Sequence, residues 1–415
     1  MNKDVLGGSS ALLSPSRKNP IQSILIRPVH SRSPILPPQK KIAVLVNPFT
    51  LESKGGGHGP TLARLLQARG HIVRGFGAPG TAFPGLEVPE DSVGVTAFAP
   101  DYIVAYDALS PAAWIGARSA RKLGVPLILV EAGFAGDGPM HERFLRRAGE
   151  AMWGRYIRNT ASSIVALDPF AADLALSEGF SAERLQVLPG GVDLQTYRPG
   201  LSNSMLHEHR VRGRILLYVG RIDERRGLEV LIDAFASTVG QRSDWSLVLA
   251  GEGGSRRGLR ARVDRLGVGD RVHWLRRPER DALPGLLCSS TLLAVPAIDN
   301  SVRGKQIARA MACGIPVIAS DLPRFTRLVQ NDDCGLLAAP GDVESWVRTL
   351  GKACGSPEAR KRWGERGRLL AEQELSWDHL VDQFERVLAA ASKPEAVQAS
   401  ATESLPDSPP LDRTA

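Results

Sequence analysis

The chain has 415 residues, 43% of them apolar and 23% charged. That is the profile of a soluble globular protein too long for one ordinary core, so two domains of roughly 150–200 residues are expected. The formal charge of +8 is unevenly spread, with +6 on residues 1–41 and −2 on residues 393–415. A nucleic-acid binder would need its basic face on a folded element, and this distribution argues against one. The four cysteines (Cys288, Cys313, Cys334, Cys354) show no C-x-x-C spacing and no nearby histidine pair. Metal site and disulfide frame are therefore disfavoured, and buried or idle thiols in a reducing compartment are expected. No apolar run approaches the roughly 18–20 residues of a membrane span. Ile24-Leu25-Ile26 lacks a continuous signal-peptide core, so a cytoplasmic protein is expected.

Residues 1–40, rich in Ser, Pro and basic side chains, read as a disordered leader. Structure begins at Lys41 with the buried-strand pattern IAVLVN. The glycine run Gly55-Gly56-Gly57 follows, then a helix with apolar Leu62, Leu65 and Leu66. Apolar runs at Ile72–Val73, Tyr102–Tyr106, Pro126–Val130, Ile164–Leu167 and Gln186–Leu188 alternate with helical stretches. Strand alternating with helix predicts a parallel, doubly wound α/β sheet. Residues 198–213 are polar, contain Pro199 and Gly200, and read as a linker. A second set of strands is expected near 215–220, 246–250, 271–275, 291–296, 316–319 and 335–338. A last helix follows Ser376-Trp377 with Leu380, Phe384 and Leu388 on one face, and the tail 393–415 reads as unstructured.

The stretch from Leu216 to Asp321 carries the chemistry. Strand LLYVG breaks into Arg221-Ile222-Asp223-Glu224-Arg225-Arg226-Gly227, and the helical run LEVLIDAFA begins at Leu228. Strand LLAVP then leads through the polar loop Ala297–Gly304 into a helix from Lys305 to Cys313. Two helix starts and several cations at the C-terminal edge of a sheet describe a diphosphate site.

Four segments together resemble the retaining nucleotide-sugar glycosyltransferases of family 4. They are Gly55–Gly57, Pro189-Gly190-Gly191-Val192-Asp193, Gly220-Arg221 with Arg226-Gly227, and Ala310-Met311-Ala312-Cys313-Gly314-Ile315-Pro316-Val317. The resemblance covers roughly residues 41–392. It implies a GT-B fold with two Rossmann-like domains facing across a cleft. Residues 41–200 would bind an acceptor and 210–375 a nucleotide-diphosphate sugar, with the helix 376–392 open to packing back on the first domain. The implied reaction is sugar transfer to a glycan or lipid-linked acceptor, retaining and metal-independent, with no cofactor beyond the donor. Arg221 and Arg226 would stabilise the leaving diphosphate. Gly55, Gly56, Gly57 and Gly220 would allow close backbone approach, with Ser301, Lys305 and Arg309 as further donor contacts.

The chain departs from the family where the motif E-x7-E is expected, since Ser301 and Arg309 stand at the two glutamate positions. Arginine offers donors and no acceptor, so it cannot hold a diol as a carboxylate does. Asp299 is the nearby carboxylate that could substitute, and Arg303 and Lys305 make the loop cationic. Arg226 replaces the usual lysine with a planar fork. Arg276 stands where a glycine often follows the strand, at the expected base end. In the first domain, Glu131 and Asp107 at strand ends are candidate acceptor bases or sugar contacts, with capped, solvent-facing carboxylates the alternative. His58 is either a phosphate neighbour or a solvated loop histidine, and Glu252 a turn residue. The segment Met140–Arg158, with Arg143, Arg146, Arg147, Arg155 and Arg158 among Phe144, Trp153 and Tyr156, reads as a core-packed helix or as a peripheral membrane contact. Missing glutamates keep two rivals open: a non-catalytic GT-B scaffold that binds a nucleotide or glycan, and a nucleotide-sugar epimerase.

Overall fold

The computed structural model describes residues 39–46, 57–77, 92–133, 147–202, 205–209, 211–239 and 244–391. Gly55, Gly56, Arg143, Phe144, Arg146 and most of the expected leader and tail lie outside the described residues. Strands form where the apolar runs were read. The first sheet comprises β1 (Lys41–Leu45), β2 (Ile72–Phe76), β3 (Tyr102–Tyr106), β4 (Leu127–Glu131), β5 (Ala161–Ala166) and β6 (Leu185–Val187). The second comprises β7 (Arg214–Val219), β8 (Trp245–Ala250), β9 (Val272–Leu275), β10 (Leu292–Val295), β11 (Val317–Ser320) and β12 (Gly335–Ala338). Every pairing is parallel, with Val44 opposite Val104 and Leu217 opposite Val248. Helices cover both faces of each sheet, which is why LILVE in β4 is buried throughout rather than alternating.

The strand orders are β2-β1-β3-β4-β5-β6 and β12-β11-β10-β7-β8-β9. In the first sheet the chain reverses its direction of growth between β1 and β3; in the second, between β7 and β10. At such a switch point the two flanking loops leave in opposite directions and a crevice opens at the C-terminal strand ends. The crevice of the first lobe is bordered by Gly57–His58 and Asp107–Ser110, that of the second by Gly220–Gly227 and Ala297–Gly304.

Two segments cross between the lobes side by side. Val192 bridges Ser376, Val192 N–H donates to Leu375 O at 2.7 Å, and Trp377 N–H donates to Val192 O at 3.2 Å. A side chain at Gly191 would lie 2.3 Å from the Trp377 ring, so only glycine lets this crossing pass under the indole. Beyond it the helix Trp377–Ala390 buries Leu380, Phe384 and Leu388 in one cluster with Ile42, Val44 and Leu62 of the first lobe. The stretch 198–213, read as a polar linker, contains the short helix Met205–Glu208, and its Leu206 is buried in the second-lobe core. A single apolar side chain in a polar stretch is a weak signal until the surface that covers it is known.

Candidate active site between the lobes

The second-lobe turn is built around Asp223. After β7 the chain makes a tight 3-10 turn over Glu224–Arg226 and enters the helix Leu228–Thr238 through Gly227 at φ 65°. A Cβ on Gly227 would fall 1.8 Å from Pro296 O, so the loops after β7 and β10 touch backbone to backbone here. Asp223 Oδ2 lies 3.1 Å from Arg221 Nε, and its Oδ1 lies 3.1 Å from Arg226 Nε. One carboxylate thus holds two guanidinium groups by their Nε atoms, leaving the Nη edges of both forks for an incoming anion. Arg221 has a side chain 75% exposed while that of Arg226 is 20% exposed, so one fork lies open to solvent and one is packed. Beneath them the Tyr218 hydroxyl donates to Arg221 O at 2.5 Å, and burial pushes that phenol's pKa up. Gly220 N–H is engaged by Ala250 O at 3.1 Å.

Asp299 is tied into the same wall. Its Oδ2 lies 3.7 Å from Arg225 Nη1 and its Oδ1 accepts from Ser301 N–H at 2.9 Å. The hydroxyl of Ser301 and the amide oxygen of Asn300 are buried and make no hydrogen bond among the described residues. Lys305 opens the helix Lys305–Ala312. Arg309, four residues on, turns toward the lobe crossing, where its guanidinium lies 5.1 Å from the centre of the Tyr197 ring and its Nη1 is 3.4 Å from Gln306 Oε1. Beyond β8, Glu252 O accepts from Ile222 N–H at 2.8 Å and so shapes a turn.

The first-lobe edge is arranged differently. Gly57 caps the helix His58–Ala68, and His58 Nδ1 sits 2.7 Å from the Tyr106 hydroxyl with its ring 5.1 Å from that of Trp377. Burial first, then the charges of Lys305 and Arg303 across the cleft, hold the His58 imidazole down at about 3. His58 is therefore neither solvated nor cationic, and the charges of Lys305 and Arg303 reach it from the second lobe. Glu131 is fully buried, and its carboxylate accepts from Ala108 N–H at 3.2 Å and Gly133 N–H at 2.8 Å. It is thus neither solvent-facing nor a helix cap; it staples the loops after β3 and β4. Asp107 is buried at φ 62°, a left-handed conformation aspartate tolerates. In the segment read as a basic aromatic helix, Trp153 donates to Leu109 O at 3.2 Å and Tyr156 packs on Trp114.

Arg324, on the helix Pro323–Val329, was not legible as a site residue. Only 2% of its side chain is exposed, and it reaches into the first lobe to meet Asp168 Oδ2 at 2.5 Å and the carbonyl of Gly133. Asp168 also caps the helix Pro169–Ser177 through Ala171 N–H. The Asp-Pro helix start could be read from sequence, but its cationic partner 156 positions away could not. Burial raises the Asp168 carboxyl's pKa even though Arg324 opposes the rise.

Residues 206–370 match the family model for group 1 glycosyl transferases, and residues 86–191 match that for the glycosyl transferase 4-like domain. The chain is similar to the D-inositol 3-phosphate glycosyltransferase of Jonesia denitrificans, 29% identical over 274 residues, covering 62% of this chain and 63% of that one. It is also similar to the enzyme of that name from Gordonia bronchialis, 29% identical over 332 residues with 72% and 70% covered. The MMP alpha-(1->4)-mannosyltransferase of Mycolicibacterium hassiacum is 27% identical over 243 residues, 57% of each chain. The match spans somewhat under two thirds of the first of these relatives, at 63%. Among solved structures, Anabaena HepE in complex with UDP superposes with a TM-score of 0.71 at 20% identity, over 84% of this chain and 100% of that one. Sucrose-phosphate synthase of Thermosynechococcus elongatus superposes at 0.63 and 20% identity, over 84% and 98%. The two matches fall one on each lobe, the glycosyl transferase 4-like domain on the first and the group 1 glycosyl transferase domain on the second, and the architecture is the GT-B fold.

Proposed function

We propose that the chain transfers a sugar from a nucleotide-diphosphate sugar, held on the second lobe, to a glycan or lipid-linked acceptor held against the first. The observation that carries this is the pair of guanidinium groups bridged by Asp223 at the β7/β10 switch point. Cleavage of the anomeric C–O bond leaves a diphosphate, and two forks held by one carboxylate beside a helix start stabilise that charge as it forms. Such charge stabilisation needs no dedicated metal, and the family resemblance favours retention at the anomeric carbon. A solved GT-B neighbour carries UDP, which makes a uridine diphosphate donor the first to test. Closure of the lobes would exclude water, which otherwise competes with the acceptor. No helix among the described residues is long and apolar enough to cross a membrane, so a lipid-linked acceptor would be met from the membrane surface.

A thermal-shift and turnover panel of nucleotide diphosphates and their sugars tests this reading. At least one nucleotide diphosphate should raise the melting point where its nucleoside does not, because ligands of the native state alone stabilise it. Equal shifts from phosphate-free nucleosides would remove the diphosphate assignment. Ser301 and Arg309 at the expected glutamate positions favour a second reading, a GT-B scaffold that binds without turnover. Tight nucleotide binding with no transfer or hydrolysis across the panel would select it, and interconversion of nucleotide sugars without an acceptor would select an epimerase.

A further inference from the structure

Besides the chain crossing, a charged contact joins the lobes. Arg324 lies in the helix Pro323–Val329, which follows β11 at the C-terminal edge of the second sheet. Its first-lobe acceptors all follow strands at the C-terminal edge of the first sheet: Asp168 after β5, and Ala132 and Gly133 after β4. Arg324 Nη1 donates to Asp168 Oδ2 at 2.5 Å and to Ala132 O at 3.4 Å, and Nη2 donates to Gly133 O. The guanidinium carbon also lies 4.6 Å from the centre of the Phe170 ring. The first lobe is shaped to receive this side chain. Gly133 has φ 70°, and a Cβ there would fall 2.6 Å from Arg324 Nη2, so a larger residue would press on the fork. Glu131 accepts from Gly133 N–H at 2.8 Å and so fixes the residue whose carbonyl meets Arg324. Asp168 spends Oδ1 on Ala171 N–H at 2.8 Å, which leaves Oδ2 for the guanidinium.

We propose that Arg324 is an interlobe positioning residue: its guanidinium, docked on Asp168 and Gly133 O, holds the two sheet edges together and with them the sugar donor and the acceptor. The consequence for transfer rests on the glycosyltransferase reading, whereas the closure itself does not.

Energetics make this contact a reversible clasp. Burial pulls both groups toward their neutral forms, Arg324 downward and Asp168 upward, and each partner's charge opposes the pull on the other. Arg324 Nε is buried and makes no hydrogen bond among the described residues. A buried ion pair gains little over the same two charges in water, whereas removing one partner leaves the other buried and uncompensated. Parting the lobes returns both charges to water, so the closed arrangement is held by a modest preference. Substituting either partner tips that balance toward opening, because the polar group left behind is then satisfied by water.

The test compares the full chain with Arg324→Ala and Asp168→Asn by small-angle X-ray scattering. Asparagine keeps the helix cap while removing the charge. Both variants should show a larger radius of gyration than the parent, and Arg324→Lys, which keeps a cation at Asp168, should recover part of the parent's compactness. Should Arg324→Ala fail to fold, Asp168→Asn against the parent decides. An unchanged radius of gyration overturns the clasp. In transfer, Arg324→Ala should lower kcat about ten- to a hundred-fold by misplacing donor against acceptor. Its affinity for a nucleotide diphosphate should stay within about two-fold of the parent's, because the Arg221 and Arg226 turn is untouched. Loss of nucleotide affinity in step with kcat would make Arg324 a structural part of the second lobe and overturn the positioning role. Because scattering needs neither nucleotide nor turnover, failure of the clasp is separable from failure of the glycosyltransferase reading.

Discussion

The two lobes share an architecture and differ in how they use the polar residues at their strand ends. The second lobe turns charge outward: Asp223 holds Arg221 and Arg226 by one nitrogen each and leaves their remaining donors for a ligand. The first lobe turns its polar groups inward. Glu131 is consumed by two backbone N–H groups, and His58 is neutral against Tyr106. The lesson is that a strand-end carboxylate says little until its surroundings are known. In one lobe it orients cations, and in the other it satisfies a loop.

The contrast breaks or sharpens under mutation, the largest effect coming from the second lobe. Removing both forks, Arg221→Ala with Arg226→Ala, should lower turnover by about a hundred- to a thousand-fold, as expected when donors to a developing charge are lost. Steady-state nucleotide release measures it, and a variant within a few-fold of the parent would detach the turn from the chemistry. Asp223→Ala separates charge from geometry. It makes the site one unit more positive, yet turnover should fall about ten- to a hundred-fold, because hydrogen bonds to charged groups contribute about 1.5–3 kcal/mol. Faster turnover would mean that net charge alone matters.

In the first lobe the expected losses are of stability. Glu131→Gln should cost about 1–3 kcal/mol of folding free energy by loosening the two loops. Denaturant titration would show it; a normal midpoint combined with abolished transfer would instead make Glu131 a chemical participant. Gly191→Ala should destabilise by about 1–3 kcal/mol through its clash with Trp377. An unchanged melting point there would mean that the crossing is looser than described.

The effect that is smallest at neutral pH concerns acid stability. His58 has a folded pKa of about 3 against an unfolded value of 6.5. Between those values the unfolded chain binds more protons, so stability falls as pH drops below 6.5 and is untouched above it. Each unit of acidification in that window costs up to about 1.4 kcal/mol. His58→Asn should flatten this slope in acid denaturation, and an identical slope in the variant would show that His58 is protonated in the fold. Turnover near neutral pH should carry no inflection from His58.

Much of this was legible along the chain. Continuous apolar runs such as LILVE, each followed by a helix start, lead to parallel sheets because nothing else covers both faces of such a strand. Gly220-Arg221 through Gly227 marks a turn wherever it occurs, since a left-handed residue must stand where two backbones touch. Less legible was the role of each polar side chain. Ser301, Arg309 and Asp299 could be placed on the right loop, but not the turn of Arg309 toward Tyr197 or the engagement of Asp299 by Arg225.

Local pattern alone therefore determined the strands, the two doubly wound sheets and the cationic turn, because these depend on neighbours within a few residues. Tertiary structure alone decided that Arg324 meets Asp168, that Trp377 lies on Gly191, and that Lys305 and Arg303 depress His58. Each of these joins segments distant in sequence, and the strength of a charge depends on what burial and neighbours do to it. Neither can be computed from a residue's own flanks.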